Sequence, residues 1–226
     1  MKVYPRSNNG KQVTIQIALP QMEKKSYSTE FTEDIRLGQV LDYSLNNNHG
    51  LMELEAYPKI SNDSPNDSLS YIFDGVDDFI KIPKYNLPDN ATIALWVKTS
   101  TTYGSQIIIG DSHSISFGFH GNYLIGYAGT NKPTGSYGSC FKNNEWNHLA
   151  VTIENGNLSY YCNGSKISTG SLNNWIWSES DYAYIGRRTE NSDLLPYYFR
   201  GNMDDLRIYG RVLSDSEIRS IYYSRK

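Results

Sequence analysis

The feature that most constrains this chain is its punctuation: from about residue 37 onward, short alternating apolar–polar runs recur between turns of Gly, Asn and Asp. A strand sends successive side chains to opposite faces, so runs with a period of two make half-buried strands rather than helices. The runs span 71–73, 79–82, 92–98, 106–109, 115–119, 123–127, 148–154, 158–162, 182–185 and 203–209. Asp74-Gly75, Gly121-Asn122, Asn155-Gly156-Asn157 and Asn163-Gly164 separate them, and these residues tolerate the positive φ of tight hairpins. Such spacing predicts an all-β fold, a two-sheet antiparallel sandwich. One short C-terminal helix is expected, because Ser214-Asp215-Ser216-Glu217 forms a capping box ahead of Ile218, Ile221 and Tyr222.

Residues 1–36 read differently. Residues 13–19 alternate like one strand that Pro20 ends, and residues 21–31 are polar and without a period. A lone strand cannot bury its own face, so this arm must pack on the main domain (37–226), on another subunit, or on an upstream module. The net charge of −3, with no basic block, argues against nucleic acid or a polybasic membrane contact. No apolar run approaches the ~20 residues that span a bilayer, and the first ten residues lack the apolar stretch of a signal peptide. Tyr outnumbers Phe by 19 to 7, which suits a sheet with one wetted face. Cys140 and Cys162 fit no disulfide framework or zinc spacing and are expected to be unpaired small apolar residues.

The motifs resemble those of laminin-G-like, concanavalin A-like jelly rolls, in that family's order. The opening turn is Leu41-Asp42-Tyr43-Ser44 through His49-Gly50; then come Phe73-Asp74-Gly75 through Ile82-Pro83 and Ala94-Leu95-Trp96-Val97-Lys98. Glu145-Trp146-Asn147-His148-Leu149, Tyr160-Tyr161-Cys162-Asn163-Gly164 and Gly201-Asn202-Met203-Asp204-Asp205-Leu206 with the helix complete the match over about 40–223. Cys162-Asn163 departs from the family, which has an aliphatic residue and Asp there; an Asn-Gly turn still closes a hairpin. The resemblance implies a jelly roll, and a structural calcium tying the opening turn to the last strand. Its ligands would be Asp42, Asn48 and Asp204, with His49 or Gly50 giving a backbone oxygen. In the arm, Ile17-Ala18-Leu19-Pro20-Gln21-Met22-Glu23 and Ser28-Thr29-Glu30-Phe31 are similar to the end of small carbohydrate-binding-like modules in bacteriophage tail proteins. That likeness implies a tail or receptor-binding protein on a virion or cell surface, with the arm able to join copies.

Strand alternation puts Asp204 on the face of Leu206 and Ile208, where a carboxylate must be paired or on a metal; the alternative is that Asp42 and Asp204 serve turns. Asp74 is read as a turn former, with Asp77 and Asp78 solvated. Trp96 and Trp146 lie in strand motifs and are expected in the core. Trp175 and Trp177 share a face among Asn173, Asn174, Ser178 and Glu179, and with Tyr103, Tyr182 and Tyr197 form the candidate carbohydrate surface. Exposed rings grip sugar CH faces while amides take hydroxyls; packing under a loop is the equal alternative. Catalytic patterns are missing: no Glu-x-Asp-x-x-Glu, no Gly-x-Ser-x-Gly elbow and no HExxH, while His49, His113, His120 and His148 are dispersed. His148 reads as a satisfied structural histidine. The reading is a non-catalytic module recognising carbohydrate or a cell-surface receptor; the alternatives are an assembly domain without a glycan, and a polysaccharide-acting enzyme of the same fold.

Overall fold

The computed structural model describes residues 14–17, 39–40, 42, 44, 48–53, 55–65, 69–83, 89–111, 116–127, 134–172, 182–188 and 197–224. Its strands are β1 (Thr14–Ile17), β2 (Gln39–Val40), β3 (Gly50–Leu51), β4 (Lys59–Ser61), β5 (Ser70–Asp74), β6 (Ile80–Pro83), β7 (Asn90–Lys98) and β8 (Ser105–Asp111). They continue as β9 (Ser116–His120), β10 (Tyr123–Tyr127), β11 (Thr134–Ser136), β12 (Asn147–Glu154), β13 (Asn157–Cys162), β14 (Ser165–Ser171), β15 (Tyr182–Ile185) and β16 (Arg200–Tyr209), before helix α1 (Asp215–Tyr223). Sheet A runs β14-β13-β12-β7-β16-β5-β4, and sheet B runs β11-β10-β9-β8-β15-β6-β3-β2. Every described pairing is antiparallel, so the jelly-roll sandwich expected from the alternation is what forms. The arm's strand β1 adds to sheet A beside β16, Thr14 opposite Tyr209 and Ile17 opposite Leu206. The main domain of the same chain is therefore where it pairs.

Between the sheets lies one core of Phe73, Ile80, Ile93, Leu95, Phe117, Phe119, Val151, Tyr160 and Ile208 with their neighbours. The tight turns follow the sequence, since Asn155-Gly156 and Asn163-Gly164 both carry the paired positive φ of two-residue hairpins. Sheet A departs from simple alternation in a way that matters for function. Strands β7 and β12 are buried on both faces over nearly their whole length, because the chain after β16 folds back across the outer face. Leu213 and Ile218 cover Ala94, Ala150 and Tyr161 there. Thr92 fixes the return: its hydroxyl donates to Arg211 O and accepts from Leu213 N, both at 2.9 Å. The capping box forms as expected, and Arg211 holds its Glu217 at 2.7 and 3.1 Å. The Arg211 hydrogen bonds lower the Glu217 carboxyl to about 2.

Three expectations need correction. Cys140 and Cys162 are joined in a disulfide, which reaches from the loop before β12 to the end of β13. Two cysteines in sequence carry no pairing signal; here the fold brings their Cα atoms to 6.2 Å, and a bridge of that span stabilises by about 3 kcal/mol. It also accounts for Asn163, whose amide donates to Cys140 O at 3.1 Å, as an aspartate could not. Trp146 is half-buried rather than core. Asp204 does not share a face with Leu206 and Ile208. A bulge lets Asp205 and Leu206 together occupy the space opposite Leu95, so Asp204 lies opposite Trp96 on the outer face. Asp205 takes a φ of 49° to make the bulge, and its buried carboxylate receives the Arg207 guanidinium at 2.6 and 2.9 Å.

Candidate functional site

Beyond the reach of α1, the outer face of sheet A is open, and the loop after β4 crosses it. Asp63 in that loop is the clasp. One carboxylate oxygen accepts from Lys98 Nζ on β7 at 2.6 Å and the other from Trp146 Nε1 at 2.8 Å. Its carbonyl accepts from Ser70 Oγ, and its N–H donates to Ser61 Oγ, so both flanking strands hold the strap. Partial burial pushes the Asp63 carboxyl up, yet the Lys98 and Trp146 hydrogen bonds outweigh it and keep the group below its ordinary value.

On one side of the strap is a cleft of about 710 Å³ lined by Tyr57, Lys59, Ile72, Asp74, Arg200 and Asn202 among others. Tyr57 and Ile72 are 46% and 42% exposed, an aromatic ring and an aliphatic chain offered together to solvent. Ile72 points outward because Tyr71 and Phe73, on either side of it in β5, point into the core. The polar groups are fixed from within. Asp74 Oδ1 caps its own turn, accepting from Val76 N at 2.7 Å and Asp77 N at 3.3 Å. Gly75 permits that turn with φ +80°, and a Cβ on it would meet Arg200 Cβ at 2.8 Å, so the arginine stem lies directly across it. Asp78 is buried rather than solvated, and accepts from Asp74 N at 2.8 Å. Burial raises its carboxyl, and the charges of Asp74 and Asp77 add to that against the Asp74 N–H. The oxygens of these three aspartates lie within 4.8 Å of one another. They share one turn, in which Asp74 and Asp78 accept backbone hydrogen bonds.

Of the residues expected to bind sugar, the described ones, Tyr103, Tyr182 and Tyr197, are not brought together. Trp175 and Trp177 lie outside the described residues. Tyr103 is 89% exposed at the start of β8, whereas Tyr182 sits on β15 beside the far end of β8, about 20 Å away at a strand's rise per residue. Lys81 Nζ covers the Tyr182 ring at 4.0 Å. Tyr197 packs on Ile107 and Ile125, and its carbonyl accepts from Ile107 N at 2.8 Å. Of the expected calcium ligands, Asp42, Asn48 and His49 lie in one turn. Asp42 Oδ1 accepts from Ser44 N, Oδ2 accepts from Ser44 Oγ and Asn48 N, and Asp42 N donates to His49 Nδ1. His49 turns a nitrogen inward toward the same turn. These bonds make a self-capped turn. Tyr57, Asp63, Trp146 and Arg200 were missed. Only the outward phase of Ile72 between Tyr71 and Phe73 could have pointed here.

Comparison with known proteins gives no match to any curated sequence. Solved structures with the same fold include domain 4 of AbnA, an extracellular GH43 arabinanase from Geobacillus stearothermophilus, in complex with arabinotriose. The TM-score is 0.59 at 16% identity, over 74% of this chain and 82% of that one. The binding domain of Paraclostridial Mosquitocidal Protein 1 gives 0.63 at 18% identity over 82% of this chain and 49% of that one. The binding domain of botulinum neurotoxin DC, in complex with rat synaptotagmin II, gives 0.65 at 14% over 94% and 51%. This chain thus spans about half of each toxin binding domain, and identities this low speak to fold alone. Residues 74–219 match the laminin-G-like family model of the concanavalin A-like lectin/glucanases superfamily, and the chain belongs to that family.

Proposed function

We propose that this domain binds carbohydrate without transforming it, in the cleft beside the Asp63 strap, as the recognition part of a protein on a virion or cell surface. The observation that carries the reading is the cleft itself, where the exposed Tyr57 ring and Ile72 stand beside the Asp74, Arg200 and Asn202 side chains. A sugar ring presents CH groups on one face and hydroxyls at its edge, which is the complement of such a wall. The arabinotriose bound by one fold relative supports the ligand class. The Cys140–Cys162 bridge suits an oxidising compartment, in keeping with display outside the cytoplasm. The Asp74–Asp77–Asp78 group favours a second reading, glycoside hydrolysis, and one experiment addresses both. The full chain is screened on a glycan array and against plant and bacterial polysaccharides, with Tyr57→Ala and Arg200→Ala in parallel. Expected are saturable binding weakened about tenfold by either variant, a cost of about 1.4 kcal/mol, and no new reducing ends. Absence of any hit, or hits indifferent to both variants, defeats the assignment. Release of reducing ends that stops in Asp78→Asn would install the enzyme in its place.

A further inference from the structure

A second cavity lies beside the strap. About 350 Å³ in volume, it is lined among the described residues by Ser64, Pro65, Trp96, Trp146 and Tyr222 with part of the loop before β12. Lys98 borders the first cavity and Trp146 the second, and the same Asp63 carboxylate holds both. Asn144 and Glu145, neighbours in the chain, border one cavity each. The two cavities are thus joined through the Asp63 carboxylate, which holds one residue of each.

We propose that the two cavities are successive subsites of one groove for an extended neutral oligosaccharide, with Trp146 as the stacking platform of the second; this rests on the cleft being a sugar site. Charge favours a neutral chain. Glu55, Asp74, Asp77 and Asp78 line the first cavity together with Lys59, Lys98 and Arg200, and Lys142 stands 3.9 Å from Glu145 beside the second. Neither lining presents the field of one sign that an ionic ligand would need. Trp146 is placed for stacking before any ligand arrives. Its indole N–H is committed to Asp63, and its loop is pinned twice. The disulfide anchors Cys140, and the buried Asn147 amide accepts from Lys142 N while donating to Lys142 O and Glu145 O. A ring ordered in advance adds contact area without an ordering cost on binding.

The test is calorimetry on the full chain with linear arabino-, xylo- and cello-oligosaccharides of one to six units. Affinity in the series that binds is expected to rise with length until both cavities are filled. Trp146→Ala should lower the affinity of the longest member about tenfold and leave the shortest unchanged. Trp146→Phe, which keeps a stacking ring and loses the bond to Asp63, should recover most of that loss. Equal affinity for short and long members, with Trp146→Ala silent and Tyr57→Ala still damaging, overturns the two-subsite groove and leaves the cleft standing. A loss of equal size in Trp146→Phe and Trp146→Ala also overturns it, because the indole would then act through the strap alone. Failure of every series to bind removes the sugar-site reading and the groove together.

Discussion

The two halves of sheet A's outer face are laid on the same strands and differ in what returns across them. Under α1, Trp96 stacks on Tyr222 with ring centres 5.5 Å apart, His148 is fully buried, and Ile218 closes over Ala94 and Ala150. Past the strap, Ile72 and Tyr57 stay open to solvent and the polar groups are tied to their own turns. Strand sequence alone does not decide which half is dry. The covering chain does: the helix packs an apolar side onto Ala94 and Ala150, whereas the strap is held by one carboxylate and leaves Ile72 and Tyr57 exposed beside it. The comparison breaks most visibly by truncating one isoleucine from each half. Ile218→Ala, at a fully buried position, should cost about 2–5 kcal/mol in urea unfolding, whereas Ile72→Ala should stay within about 0.5 kcal/mol. Equal costs would mean that the open half is packed by something the comparison leaves out.

Much of the sandwich was legible because it depends on local signals. Alternation gave the strands from 71–73 to 203–209, and Ser214 with Glu217 gave the helix start. Illegible were events that need two distant segments to meet. The bulge at Asp205 flips the phase of β16, so alternation assigned Asp204 to the wrong face. The Cys140–Cys162 bridge and the Asp63–Trp146 bond join positions whose proximity only the folded chain creates. The candidate site depends on such meetings, and no aromatic run marks Tyr57 in the sequence.

The dry half also carries a titration that the open half lacks. His148 lies between Trp96 and Tyr222, with ring centres 5.4 and 6.1 Å away, and neither of its ring nitrogens has a hydrogen-bond partner among the described residues. It is structural, as expected, but not satisfied. Burial pushes the imidazole down to about 4, with Asp205 pulling it up and Arg207 pushing it further down. The unfolded chain therefore binds the proton first, near the ordinary value of 6.5. Stability is complete above pH 6.5 and drains away as pH falls toward 4, by about 2 kcal/mol at pH 5. Urea unfolding at pH 7.5 and pH 5 measures it, and His148→Phe should remove most of the difference between the two. An unchanged pH dependence in that variant would place the acid sensitivity elsewhere.

The smallest effect expected concerns whether the open half and the turn before β3 are held by protein groups alone. Asp42 caps Ser44 and Asn48 with both oxygens, Asp74 Oδ1 caps Val76 and Asp77, and Asp78 Oδ2 caps Asp74. An ion that took those oxygens would have to break the caps, each worth about 1 kcal/mol, before gaining anything. Millimolar calcium, followed by excess chelator, should therefore move the melting temperature by less than about 1 °C. A ligand at a hundred times its Kd would add about 2.7 kcal/mol, a rise of several degrees that is easily seen. If such a rise appears and vanishes in Asp42→Asn, the opening turn is a metal staple. If it vanishes in Asp74→Asn instead, the open half is the one that needs an ion, and its walls are not pre-set by their own hydrogen bonds as the comparison with the helix-covered half requires.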